Sequence, residues 1–92
     1  MNKRQSDILK TLYNNRGFMT LSDIVDEFGV SAKTVRNDIS SIKEYLADQG
    51  AGSLESKPHV GVRAIITDEE WAYLLENSHE DSEDREIMFF II

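Results

Sequence analysis

Thr20-Leu21-Ser22-Asp23-Ile24-Val25-Asp26-Glu27-Phe28-Gly29-Val30-Ser31-Ala32-Lys33-Thr34-Val35-Arg36-Asn37-Asp38-Ile39 contains two helix starts close together. Thr20 is followed by Asp23 at the third helical position, the spacing at which a cap hydroxyl and an acidic side chain satisfy each other's backbone N–H groups. Leu21, Ile24, Val25 and Phe28 then make the apolar stripe of a helix of about two turns, and Gly29 ends it. Only Val30 separates Gly29 from a second cap, Ser31. A longer helix follows, from Ala32 to about Asp48, with Val35, Ile39, Ile42, Tyr45 and Leu46 on its stripe. Val30 and Val35 have the spacing of a hydrophobic staple. Two helices joined by so short a turn cannot lie side by side over a long length, so they must cross steeply. That is a helix-turn-helix arrangement.

Upstream, residues 4–15 read as a helix with Ile8, Leu9, Leu12 and Tyr13 on one stripe. Asn14-Asn15-Arg16-Gly17 is a stop, since Asn and Gly tolerate the left-handed conformation. Phe18-Met19 is a short extended piece, placed to supply a third strand. Downstream, Gln49-Gly50-Ala51-Gly52 breaks the helical pattern. Ser53 to Lys57 and Val62 to Ile66 are β-like runs around the turn Pro58-His59-Val60-Gly61, which predicts a hairpin. Val62, Ala64 and Ile66 share a face. The expected fold is mainly α with a small β-hairpin wing: a winged helix-turn-helix with a three-helix core plus C-terminal helices.

Thr67-Asp68-Glu69-Glu70 is a further capping box, opening a fourth helix with Trp71, Leu74 and Leu75 on its stripe and an end near Asn77. Ser78-His79-Glu80-Asp81 reads as a polar linker, and Ser82 is placed to cap a last helix from Glu83. Ile87-Met88-Phe89-Phe90-Ile91-Ile92 is apolar all round, as a helix buried on every side would be. The expected organisation is a winged helix-turn-helix domain over 1–66, a connecting helix over 67–79, and over 80–92 a linker and the truncated start of a following domain.

The chain has 92 residues and a formal net charge of −7, which taken alone argues against a nucleic-acid partner. The charge is unevenly spread. Residues 1–63 carry nine basic and eight acidic side chains, a net +1; residues 64–92 carry one basic and nine acidic, a net −8. The total therefore says nothing about the first segment. With no cysteine, disulfides and thiolate metal sites are excluded. No segment approaches the roughly 20 apolar residues of a membrane span. The basic residues near the start have no apolar stretch behind them, unlike a signal peptide. A cytoplasmic location without membrane contact is expected.

The chemistry-bearing residues lie on the outer face of the third helix. Once Val35, Ile39, Ile42 and Leu46 face inward, Ser31, Lys33, Thr34, Arg36, Asn37 and Ser40 remain near its start, with one carboxylate, Asp38, among them. Arg pairs bidentately with guanine and Asn with adenine, while Ser and Thr suit either base or phosphate. The N-terminal part of the second helix of a helix-turn-helix faces base edges. Thr20 and Ser31 mark helix N-termini, whose backbone N–H groups bind phosphate. Lys57 and His59 in the hairpin turn add a second anchor. Tyr13, Tyr45 and Trp71 fall on core stripes and are read as packing residues; Lys3 and Arg4 suit either a phosphate or a free terminus.

No catalytic set is visible, and no cofactor, metal or small molecule is expected. The two histidines lie in different contexts, and the acids from Glu80 to Glu86 lack the glycine-containing register of a calcium loop. The expected partner is double-stranded DNA, not RNA, whose A-form major groove excludes a recognition helix. A homodimer is also expected, with residues 83–92 as its candidate seam. The rival reading is a winged helix that contacts only protein, favoured by the acidic segment and the apolar end.

Arg4, Ile8-Leu9 and Leu12, the stretch Thr20–Ser31, and Lys33-Thr34-Val35-Arg36-Asn37-Asp38-Ile39 together resemble the N-terminal DNA-binding domain of bacterial transcription regulators. The Val-Ser-x-x-Thr-Val-Arg-x-Asp-Ile core is shared by deoxyribonucleoside-operon-type repressors and biotin repressors. Ser56-Lys57-Pro58-His59-Val60-Gly61-Val62 resembles the wing of regulators with phosphotransferase-regulated domains, of the mannitol-operon-activator and antiterminator type, although His59 stands where that family often has glycine. Glu83-Asp84-Arg85-Glu86-Ile87 through Ile92 resembles the opening of their first regulatory domain. The resemblance implies sequence-specific DNA binding within a carbohydrate-responsive regulator. A biotin-repressor-like regulator is the alternative.

Overall fold

Each helix of the computed structural model, which describes residues 1–77, begins at a side-chain cap. Helix α1 (Lys3–Asn15) starts at Asn2, whose side chain accepts the Gln5 N–H while Gln5 accepts the Asn2 N–H. Helix α2 (Leu21–Phe28) starts at Thr20 in a reciprocal box with Asp23, and ends at Gly29 in the left-handed conformation. Helix α3 (Ala32–Gln49) starts at Ser31 and ends at left-handed Gly50. Strands β1 (Ser53–Lys57) and β2 (Gly61–Ile65) form an antiparallel hairpin. Helix α4 (Asp68–Glu76) starts at Thr67 in a box with Glu70. The second Glu70 oxygen accepts the Gly52 N–H at 3.0 Å, tying the start of α4 to the loop before the wing.

The first three helices and the hairpin enclose one core. Ile8, Leu9 and Leu12 of α1, Ile24 of α2, and Val35, Ile39, Ile42 and Leu46 of α3 are buried together with Ala51, Val62 and Leu74. Leu21, Val25, Phe28 and Val30 pack around this cluster from its edge. Burying a side chain of this size contributes about 1.5–3 kcal/mol, so the core sets the crossing of α2 and α3 more firmly than any polar contact does. The winged helix-turn-helix read from the sequence is the fold observed.

The extended piece Phe18-Met19 does join the sheet, through a single bridge. Met19 N donates to Val62 O at 2.8 Å and Val62 N to Met19 O at 2.9 Å. Gly61 makes this approach possible. Its φ is +126°, and a Cβ there would stand 2.2 Å from the Met19 carbonyl oxygen.

Three local expectations are corrected. The left-handed residue ending α1 is Arg16 (φ +60°), not Asn or Gly. Arg16 is held there by an ion pair with Asp68 at 3.2 Å and by its position over the Tyr13 ring. Leu75 is exposed rather than part of the stripe of α4, since Leu74 and Trp71 already fill the contact with α1. Trp71 stacks on Tyr13 with ring centroids 4.4 Å apart. The third correction concerns Asp38. The linker from Ser78, the helix from Glu83 and the apolar end 87–92 lie outside the described residues.

Candidate nucleic-acid interface

Helix α3 divides its residues by angle. Val35, Asp38, Ile39, Ile42 and Leu46 face the core, and Lys33, Arg36, Asn37 and Ser40 lie exposed on the other side. Spacings of three and four put these polar residues in one row. Exposed Lys43, three residues past Ser40, extends the row, although the sequence reading stopped at Ser40.

Asp38 is not part of that surface. It is buried, and Arg4 grips it with two hydrogen bonds, Nε to Oδ2 at 2.6 Å and Nη2 to Oδ1 at 3.0 Å. Gln5 adds a third, from Nε2 at 3.1 Å. Asp38 stands three residues after Val35, which places it at the edge of the core stripe. The hydrogen bonds from Arg4 hold its carboxyl below the usual carboxylate range, against the opposing effect of burial. Arg4 is thereby committed to the inner side of α3, away from any phosphate.

The cap hydroxyls are partly committed too. Thr20 Oγ1 accepts the Asp23 N–H at 3.0 Å, and Ser31 Oγ accepts the Thr34 N–H at 3.1 Å. Ser31 Oγ also donates to Thr34 Oγ1 at 3.0 Å. These three residues shape the two helix starts. A hydroxyl carries one donor and two acceptor sites, so capping leaves each with capacity toward a ligand.

The wing stands across from α3. Between them lies an open cleft of about 540 Å³, lined by Arg36 and Ser40 from α3, Thr20 and Ser22 from the start of α2, and Ser56, Lys57 and His59 from the wing. The Met19–Val62 bridge builds this arrangement, because Met19 directly precedes the cap of α2 while Val62 belongs to the wing. Of the sequence-selected residues, Thr20, Arg36, Ser40, Lys57 and His59 meet in the cleft. Ser31, Lys33, Thr34 and Asn37 lie beside it on the first turns of α3. Ser22 and Ser56 were not singled out, and nothing in the sequence separates them from ordinary surface serines. His59 occupies the left-handed region at the wing tip, with φ +63°, which explains why glycine suits this position.

The distribution of ion pairs sharpens the electrostatics. Lys3, Arg4, Arg16 and Arg63 are each paired, with Asp7, Asp38, Asp68 and Glu55. Among the described residues, Lys10, Lys33, Arg36, Lys43 and Lys57 have no carboxylate partner. Apart from Lys10 on α1, this unneutralised positive charge lies on α3 and the wing. Such a surface attracts a polyanion despite the acidic total. Away from it, Asp68 is lowered by the hydrogen bond from Tyr13 and the charge of Arg16.

Residues 4–63 match the family model described as an HTH domain. The chain belongs to the helix-turn-helix domain family. Over 82 residues it is also 32% identical to the protein named transcriptional regulator ManR of Bacillus subtilis (strain 168). That similarity covers 88% of this chain and 13% of ManR, so the chain spans only a small part of that relative's length. Family and relative together make this a helix-turn-helix domain of the kind found in bacterial transcription regulators. Among the described residues, no helix is long and apolar enough to cross a membrane.

Proposed function

We propose that this domain reads operator DNA for a carbohydrate-responsive transcription regulator, with α3 in the major groove and the wing on the adjacent backbone. One observation carries this reading: Arg36 from α3 and Lys57 from the wing, neither held by a carboxylate, line the same cleft. A major groove roughly 12 Å wide accepts one helix, which leaves the wing to meet the phosphates beside it. Arg36 is the guanine reader and Asn37 the adenine reader. Lys33 and Lys57 meet phosphates, and His59, Ser40 and the caps at Thr20 and Ser31 add hydrogen bonds to the backbone. The N–H groups at the starts of α2 and α3 reinforce them.

The link to carbohydrate control rests on the wing Ser56–Val62 and the stretch Glu83–Ile92, which resemble regulators carrying phosphotransferase-regulated domains. In such a cytoplasmic regulator two copies of this module would meet a two-fold operator, with half-sites about 34–36 Å apart. A protein-contact role is favoured by exposed Tyr73 and Leu75 on α4, and it is compatible with DNA reading because α4 lies away from the cleft.

Iterative selection from random duplexes, followed by binding over a salt series, tests the reading. The expected result is an enriched sequence bound more tightly than unrelated duplex, with affinity falling steeply as salt rises. Absence of enrichment, with equal binding of all duplexes even near 0.05 M salt, would favour the protein-contact role instead.

A further inference from the structure

The outward face of the wing carries side chains that extend beyond the cleft from Lys57 at its edge. In the hairpin register Glu55 pairs with Arg63 and Lys57 with Gly61, so Glu55, Lys57 and Arg63 share the face opposite to Val62. Met19 bridges Val62, and Phe18, one residue earlier, belongs to that same outward face. Its ring gathers both cations. Lys57 Nζ is 5.6 Å from the ring centroid and the Arg63 guanidinium carbon 5.0 Å. Glu55 accepts from Arg63 Nε at 2.6 Å, which leaves the Nη hydrogens for another acceptor.

Two like charges drawn onto one ring repel each other, and an anion placed between them relieves that repulsion. A single carboxylate, Glu55, balances only one of the two. Lys57 also lines the cleft beside α3, so this group continues the cleft around the edge of the wing. We propose that Lys57 and Arg63, held by Phe18, form a phosphate site that takes a phosphodiester of the duplex beyond the stretch read by α3. The proposal rests on the DNA-reading function above. Phe18 acts here as a positioning residue: its ring fixes two flexible cations before the duplex arrives, which reduces the entropy lost on binding.

The test uses the 92-residue chain and a duplex obtained by selection, with Phe18→Leu, Phe18→Tyr and Arg63→Gln as variants. Phe18→Leu is expected to weaken binding about two- to fivefold, the size of an exposed cation–π contact. It should also reduce the slope of log affinity against log salt by about 1, as loss of one phosphate contact does. Phe18→Tyr should restore both, and Arg63→Gln should reproduce the loss of slope. The NMR signals of the Lys57 ε-protons should be ring-shifted in the parent and in Phe18→Tyr, and not in Phe18→Leu. Should Phe18→Leu fail to fold, the Arg63→Gln variant, at a half-buried position on the wing, decides alone. Parent-like slopes in the folded variants would overturn the phosphate site while leaving DNA reading intact. A parent chain that binds no duplex specifically would overturn both.

Discussion

Arg4 in the first turn of α1 holds Asp38 in the middle of α3 with two hydrogen bonds, from the side of the helix facing away from the cleft. Asn37, a proposed base reader, is the residue before Asp38. The pair therefore reinforces the rotation of α3 that its buried Val35, Ile39, Ile42 and Leu46 set, and with it the direction in which Arg36 and Asn37 point. A buried carboxylate stripped of its partner is strongly destabilising, so Arg4 matters for the shape of the DNA-facing surface without touching DNA.

The pair makes stability depend on pH in a defined direction. Asp38 titrates below its ordinary value of 3.8 in the folded chain, chiefly through the hydrogen bonds from Arg4. Its contribution is complete above the unfolded value and is lost as pH falls from there through the folded value. Denaturant unfolding of the parent at pH 7 and near pH 3 should show this loss. Asp38→Asn should be less stable at pH 7 and should show a smaller loss on acidification. Asp38→Ala, which also removes the acceptors for Gln5, should cost about 1–3 kcal/mol at neutral pH.

The seating of the wing depends on Gly61. Replacing it with alanine drives a Cβ into the Met19 carbonyl, and the bridge to Val62 must open. Overpacking of this kind costs about 1–3 kcal/mol. Gly61→Ala should lower the thermal midpoint and weaken DNA binding, because the wing no longer faces α3. His59→Gly should be tolerated, since glycine adopts the observed φ of +63° freely. Circular dichroism melts of the two variants check this contrast.

Ser31 tests whether the start of α3 depends on its cap. Ser31→Ala removes the acceptor for the Thr34 N–H and should cost about 1 kcal/mol. Amide exchange at Thr34 should accelerate, while exchange at Leu46, deep in the core, should change only as much as global stability does.

Much of this was legible in the sequence because it obeys local rules. Thr20 with Asp23, Gly29, Ser31, and Thr67 with Glu70 mark helix ends through contacts spanning a few residues, and the structure shows each as read. The hairpin followed from alternation around Pro58 and Gly61, with β2 beginning one residue earlier than the alternation suggested. Asp38 was misplaced because charged residues are ordinarily assigned to solvent, and its partner is 34 positions away in sequence. Helical spacing from Val35 was the available signal. Arg16 was missed as the left-handed residue for the same reason, since its ion pair comes from distant Asp68. The candidate surface was legible on α3 as an exposed row. Its meeting with Lys57 and His59 depended on where the wing lies, and the cation grouping around Phe18 depended on strand register.

Binding of the selected duplex and of its single base-pair variants by the parent, Arg36→Ala and Lys57→Ala separates base reading from backbone contact. The expected result is that Arg36→Ala costs about 1–3 kcal/mol and loses the preference at one base pair. Lys57→Ala should weaken every duplex alike and lower the salt slope by about 1. Parent-like affinity and base preference in both variants would contradict the placement of α3 in the major groove with the wing on the adjacent phosphates.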